Sequence, residues 1–152
     1  MALARGLYFE EFEVGAAYTS PGRTVTETDV VTFAALSGDY NQLHTDAEFA
    51  KSTFFGARIA HGLLGLSMAS GLGSRMGFLE GTALAFLSLT WKFSKPIFIG
   101  DTIALQAKVA KKRAVSDEAG IVVFDCTLLN QRDEVTQQGE WTVMVKRKAG
   151  EG

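Results

Sequence analysis

The chain has little of several things, and each shortage narrows the reading. It has one cysteine, Cys126, which rules out a disulfide framework and a cysteine-based metal site. A lone cysteine suits a reducing compartment, and a cytoplasmic protein is the expectation. The N-terminus turns acidic too soon for a secretory signal. The longest apolar stretch, 59–72, is too short and too interrupted by His61, glycine and serine to span a bilayer, so no membrane association is expected. Net charge is only −2, which gives no reason to expect a nucleic-acid partner. Only Pro21 and Pro96 interrupt the backbone, and no repeat or low-complexity linker is visible. The 152 residues are therefore read as one domain, 1–152, with enough apolar content for a sizeable core.

Histidine is as scarce as proline. The two histidines, His44 and His61, lie within a stretch shorter than a third of the chain. His44 closes the stretch Ser37-Gly38-Asp39-Tyr40-Asn41-Gln42-Leu43-His44, which sets a carboxylate and an imidazole five residues apart. Asp39 and His44 could share and activate one water, because imidazole titrates near neutral pH and a carboxylate accepts protons. A Gly-Asp turn beside a surface histidine would look the same locally. No set of His, Cys and carboxylate positions has metal-site spacing, so no metal is expected.

The order of elements places this stretch. Residues 17–25 read as a strand broken near Pro21-Gly22. Thr26-Glu27-Thr28-Asp29 supplies N-cap side chains for a helix to about Leu36, with Val30, Phe33, Ala34 and Ser37 on one face and Gly38 as its stop. Thr45-Asp46-Ala47-Glu48 resembles a capping box and predicts a short helix to Lys51. Residues 61–77 read as a longer buried helix, rich in glycine because a sheet approaches its backbone closely. Residues 83–93, 102–115, 120–130 and 135–147 read as strands, the last two joined by a loop at 130–134. Helices followed by a run of antiparallel strands give an α+β class, a curved sheet wrapped round the glycine-rich helix.

At this point a family is recognisable. Gly38-Asp39-x-Asn41-x-x-His44 resembles the motif of the MaoC-like dehydratases and R-specific enoyl-CoA hydratases. Residues 8–15 resemble the family's opening, 22–30 the lead-in to its first helix, and Ile59-Ala60-His61-Gly62 the start of its central helix. The run from Phe93 through Lys95-Pro96-Ile97 to Gly100-Asp101-Thr102 resembles its crossing between strands, so the likeness covers about 8–105. It implies a hot-dog fold, a homodimer or higher homo-oligomer, and no cofactor. The implied reaction is reversible hydration of a trans-2-enoyl-CoA to an (R)-3-hydroxyacyl-CoA. Asp39 and His44 would be catalytic. Gln42 departs from the pattern, where proline is usual, and a free N–H there leaves the loop less restricted.

Other residues carry two readings each. Gly62 opens the long helix, so its N–H could hold the thioester oxygen; it could equally relieve crowding against the sheet. Asn41 could tie down the loop or be an ordinary turn residue. His61 could be taken for a third catalytic group, but a structural role, hydrogen-bonded near the helix start, is preferred. Lys108, Lys111, Lys112, Arg113 and Lys146, Arg147, Lys148 could meet CoA phosphates or simply be solvated strand ends. Phe54, Phe55, Met76 and Phe78 could line an acyl pocket or the core. A thioesterase, an acyl-carrier-protein dehydratase and a non-catalytic acyl-CoA binder remain as alternatives.

Overall fold

The computed structural model describes residues 5–150. A 3₁₀ turn at Phe9–Glu11 leads to two short strands, β1 (Ala17–Thr19) and β2 (Arg23–Thr24). Three helices follow, α1 (Glu27–Ser37), α2 (Gln42–Thr45) and α3 (Ala47–Lys51), then the long α4 (Gly62–Arg75). The rest is strand: β3 (Ala83–Leu89), β4 (Lys92–Phe93), β5 (Thr102–Ala114), β6 (Ala119–Leu129) and β7 (Val135–Lys146). All pairings are antiparallel, in the order β1-β5-β6-β7-β3, with β2 extending the β5 side and β4 the β7 side.

The sheet curves round α4. Leu64, Met68, Ala69 and Leu72 of the helix join Leu105, Val109, Phe124, Leu128 and Val143 of the strands in one buried cluster. Burying these side chains is the main driving force for the wrap. Phe12, Phe78 and Phe124 meet edge to face at one end of this core, with centroids 5.4–6.2 Å apart. Edge-on contact sets the positive ring edge against the negative face.

Local signals explain most boundaries. Thr26 caps α1 in a reciprocal box with Asp29, and Gly38 ends it in the left-handed region at φ 77°. The β6–β7 loop folds on Asn130, whose Oδ1 accepts the N–H groups of Arg132 and Glu134.

Two expectations are corrected. The run 83–93 is not one strand: it leaves the ladder at Thr90-Trp91 and re-enters as β4. At this break the chain lies close against β7, since a Cβ at Gly139 would strike the Thr90 carbonyl. Thr45 does not cap a helix either. It is the last residue of α2, and its hydroxyl donates to the carbonyls of Tyr40 and Asn41 at 3.1 Å. Asp46 caps α3 instead, accepting from the Phe49 N–H at 3.0 Å.

Candidate active site

The residues singled out in the sequence lie on two segments that meet: the loop after α1 and the start of α4. The loop is held by its own side chains. Asp39 Oδ1 accepts the Asn41 N–H at 3.2 Å, and Asn41 Oδ1 accepts the Leu43 N–H at 3.0 Å as the N-cap of α2. Gln42 takes the first helical position, where proline fits well, so its side chain leaves the helix start intact. Asn41 thus shapes the loop and does not line the cleft beside it.

His44 lies on α2 and is buried. Its Nδ1 is 2.8 Å from the Ile59 carbonyl, which can only accept, so Nδ1 carries the proton and Nε2 keeps its lone pair. Arg58 secures the same turn. Its Nε donates to the His44 carbonyl at 2.6 Å, while its Nη1 reaches both Glu27 oxygens at 2.8–2.9 Å. Asp39, by contrast, is exposed.

His61 stands just before α4 and is only 2 % exposed. Its Nε2 donates to the Asp39 carbonyl at 2.9 Å, while its Nδ1 is buried with no partner among the described residues. One face of the ring stacks on His44 at 3.9 Å and 27°, and Phe33 packs 4.9 Å away. One side-chain ligand atom from each of Asp39, His44 and His61 lies within 4.8 Å of the others. No spacing rule revealed this cluster, because its members come from separate segments. Two imidazoles stacked face to face point their lone pairs along nearly parallel planes. A shared ion, about 2 Å from each nitrogen, would need those planes to converge.

Beside His44 opens a cleft of about 280 Å³, walled mainly by Phe55, Ile59, Gly62, Phe93, Pro96 and Gln137. Gly62 is the first residue of α4, and its N–H has no acceptor among the described residues. Helix-start N–H groups lack intrahelical partners and carry the positive end of the helix dipole. A Cβ at Gly62 would sit 2.8 Å from the Phe93 ring. Lys95 stands at the cleft edge, paired with Glu134 at 2.5 Å. Together with Arg132 it holds the Glu134 carboxyl down at about 2.

Other candidates fall elsewhere. Of the four possible acyl-pocket residues, Phe55 alone lines the cleft. Phe54 is fully exposed, Met76 packs against the core, and Phe78 belongs to the aromatic end of the core. The basic stretches also lie away from it. Lys112 Nζ donates to the Phe9 carbonyl at 3.1 Å, and Arg147 Nε donates to Glu10 at 3.2 Å. Lys146 is nine residues along β7 from Gln137, about 30 Å at 3.3 Å per residue. Burial, with Asp125 adding to it, pushes the Cys126 thiol up to about 12, which leaves it unreactive. Ile59, Arg58 and Gln137 are the site residues that sequence reasoning missed. Their roles depend on contacts 14 to 75 residues apart in the chain.

Known proteins resemble this chain in sequence and in fold. Residues 11–127 match the family described as MaoC like domain. The chain is 37% identical to a 3-hydroxybutyryl-CoA dehydratase of Methylorubrum extorquens, over 95% of this chain and 87% of that protein. It is 36% identical to an (R)-specific enoyl-CoA hydratase of Rhodospirillum rubrum, over 91% of each. Among solved structures, a monoamine oxidase regulatory protein from Archaeoglobus superimposes with TM-score 0.89 at 37% identity, covering 97% of this chain and 99% of that one. The (R)-hydratase of A. caviae superimposes with TM-score 0.77 at 30% identity, covering 88% and 97%. A double hot-dog protein of Mycobacterium tuberculosis shares the fold, with TM-score 0.82 over 97% of this chain and 47% of that one. The fold is a hot-dog, and the chain belongs to the MaoC-like family.

Proposed function

We propose that this protein is a hydro-lyase, a hydratase/dehydratase of CoA thioesters, and that it adds water to trans-2-enoyl-CoA to give the (R)-3-hydroxyacyl-CoA. The observation that carries the reading is the approach of Asp39 to His44, with one ligand atom of each within 4.8 Å, where His44 and Gly62 line the same cleft. Both (R)-specific hydratases and 3-hydroxybutyryl-CoA dehydratase among the relatives support the reaction class.

The chemistry follows from the groups present. Water is held between the Asp39 carboxylate and His44 Nε2, the nitrogen left with a lone pair by the bond to Ile59. As its oxygen attacks C3, one proton passes to this pair, and the pair delivers a proton to C2. Negative charge grows on the thioester oxygen during attack. The Gly62 N–H receives it, at a helix start that needs no reorganisation. Elimination of water retraces these steps. Asn41 and Arg58 hold the loop in place rather than reacting. No cofactor enters this scheme.

A homodimer completes the proposal. Among the described residues β3 is hydrogen-bonded on one side only, and Leu84, Phe86, Leu87 and Leu89 along it are exposed. Leu63 of α4 is exposed as well. An unpaired apolar edge of this kind invites a second copy. Light scattering should give twice the chain mass, and a monomer at micromolar concentration would remove this part.

The test of the reaction is hydration of crotonyl-CoA, followed as loss of enoyl thioester absorbance. Asp39→Asn and His44→Ala should fold, and each should lower kcat by about 10²–10⁴. Release of free thiol would favour a thioesterase instead. Faster turnover of carrier-protein thioesters would move the substrate from CoA to carrier. Binding of enoyl thioesters of every length tried, without reaction, would leave only a binder.

A further inference from the structure

We infer that Gln137 is a positioning residue for the oxyanion-binding helix start, fixing the orientation of Gly62; this rests on the hydratase reading above. Gly62 has no side chain with which to hold its own peptide units in place. Its neighbours must therefore set where its N–H points. On the preceding side, His61 is bonded through Nε2 to the Asp39 carbonyl. On the following side, Gln137 Nε2 donates to the Gly62 carbonyl itself at 3.1 Å.

Gln137 is suited to that task because it is itself fixed at both ends. Its Oε1 accepts the Trp91 indole N–H at 2.8 Å, and the residue is only 2 % exposed. Its backbone sits in the sheet between Leu128 of β6 and Phe93 of β4. Residues paired directly across strands share a face. The Phe93 ring and the Gln137 amide accordingly press on the same turn of α4. Gly65 lies one turn on from Gly62, and a Cβ there would collide with the Gln137 amide. A buried amide costs stability unless its polar atoms are paired. Two specific bonds and a glycine that makes room for it mark Gln137 as more than filler. Its span across the site joins β4, β7 and the start of α4 beside the cleft.

The test uses the full chain with Gln137→Met and Gln137→Glu. Methionine keeps the length but donates nothing. Glutamate still accepts from Trp91, yet when ionised it turns an oxygen toward the Gly62 carbonyl. Both variants should lower kcat about tenfold, the effect of one hydrogen bond, with KM near wild type. Gln137→Glu should recover activity relative to wild type as pH falls, because the protonated carboxyl donates again. A loss of packing alone would lower thermal stability without that recovery. The Gly62 amide resonance, read by NMR without substrate, should shift in both variants. If Gln137→Met does not fold, Trp91→Phe, which frees only Oε1, should give a smaller loss of kcat and a smaller shift. A folded variant with wild-type kcat and an unmoved Gly62 resonance would overturn the inference. A wild type inert toward every enoyl thioester would fail the hydratase reading instead, and the Gly62 resonance alone would then decide the role of Gln137.

Discussion

The two ends of α4 use glycine for different reasons. At the start, Gly62 and Gly65 lie against Phe93 and the Gln137 amide, and a Cβ at either would overlap its neighbour. Toward the end, a Cβ at Gly73 would meet Trp141 and Leu105 at near-ordinary contact, 3.4 and 3.5 Å, and one at Gly71 would meet nothing within 4 Å. Glycine lowers stability in a helix interior. The first turn therefore gives up helix propensity for close approach to the sheet, beside the cleft. Gly71, exposed on the outer side, gains no such approach. Composition alone makes the whole helix look uniformly small.

The largest effect should come from Gly65→Ala. Its Cβ would displace the Gln137 amide, and overpacking of this kind costs about 1–3 kcal/mol in denaturant unfolding. Adding Gln137→Ala to it should restore part of that loss, because the obstruction is gone. Simple additivity of the two would break the comparison. Gly71→Ala should act in the opposite direction and stabilise by about 0.5–1 kcal/mol.

Two loops extend the contrast. Each is folded by an asparagine that accepts backbone N–H groups, Asn41 beside the cleft and Asn130 between β6 and β7. The first uses one Asp39 oxygen for the Asn41 N–H and leaves the other oxygen and His44 Nε2 available. The second uses its charged residues internally, since Glu134 bonds Lys95, Arg132 and Asn130. Gln42→Pro tests the first loop. Gln42 opens α2 and Asn41 is already extended at ψ 137°, so proline should fit and add about 0.4–1 kcal/mol of stability. The smallest effect belongs to Glu134. Its folded pKa, about 2, lies below the unfolded value of about 4.3. The stability it contributes is therefore present above pH 4.3 and lost as pH falls toward 2. Glu134→Gln should flatten the acid limb of a stability–pH curve in that window. Because the carboxyl is partly open to solvent and its partners Lys95 and Arg132 are exposed, screening keeps the change small, and it should shrink further in salt.

Much of the candidate site was legible in the chain because it is local. Gly38 as a stop and Asp39 and His44 within five residues depend on neighbours in sequence, whereas Asn41 stayed open between a tie and a turn residue. The split of 83–93 was not legible, because the Thr90 carbonyl meets Gly139 almost fifty residues away. The cap of α3 is Asp46 and not Thr45 for a local reason. Thr45 has the right chemistry for a cap, but two nearby carbonyls occupy its hydroxyl. Phe78 could not be sorted from Phe55 by type, since both are apolar and only packing separates core from cleft.

By itself, the sequence determined the α+β class, the order of elements, and the pairing of a carboxylate with an imidazole on one loop. Periodicity, caps and turn residues act over a few residues, so they can be read along the chain. Tertiary structure decided which imidazole nitrogen keeps its lone pair, where His61 stacks, and what holds Gly62 in place. Those outcomes depend on contacts to Ile59, Asp39 and Gln137 that span 15 to 75 residues and exist only in the folded chain.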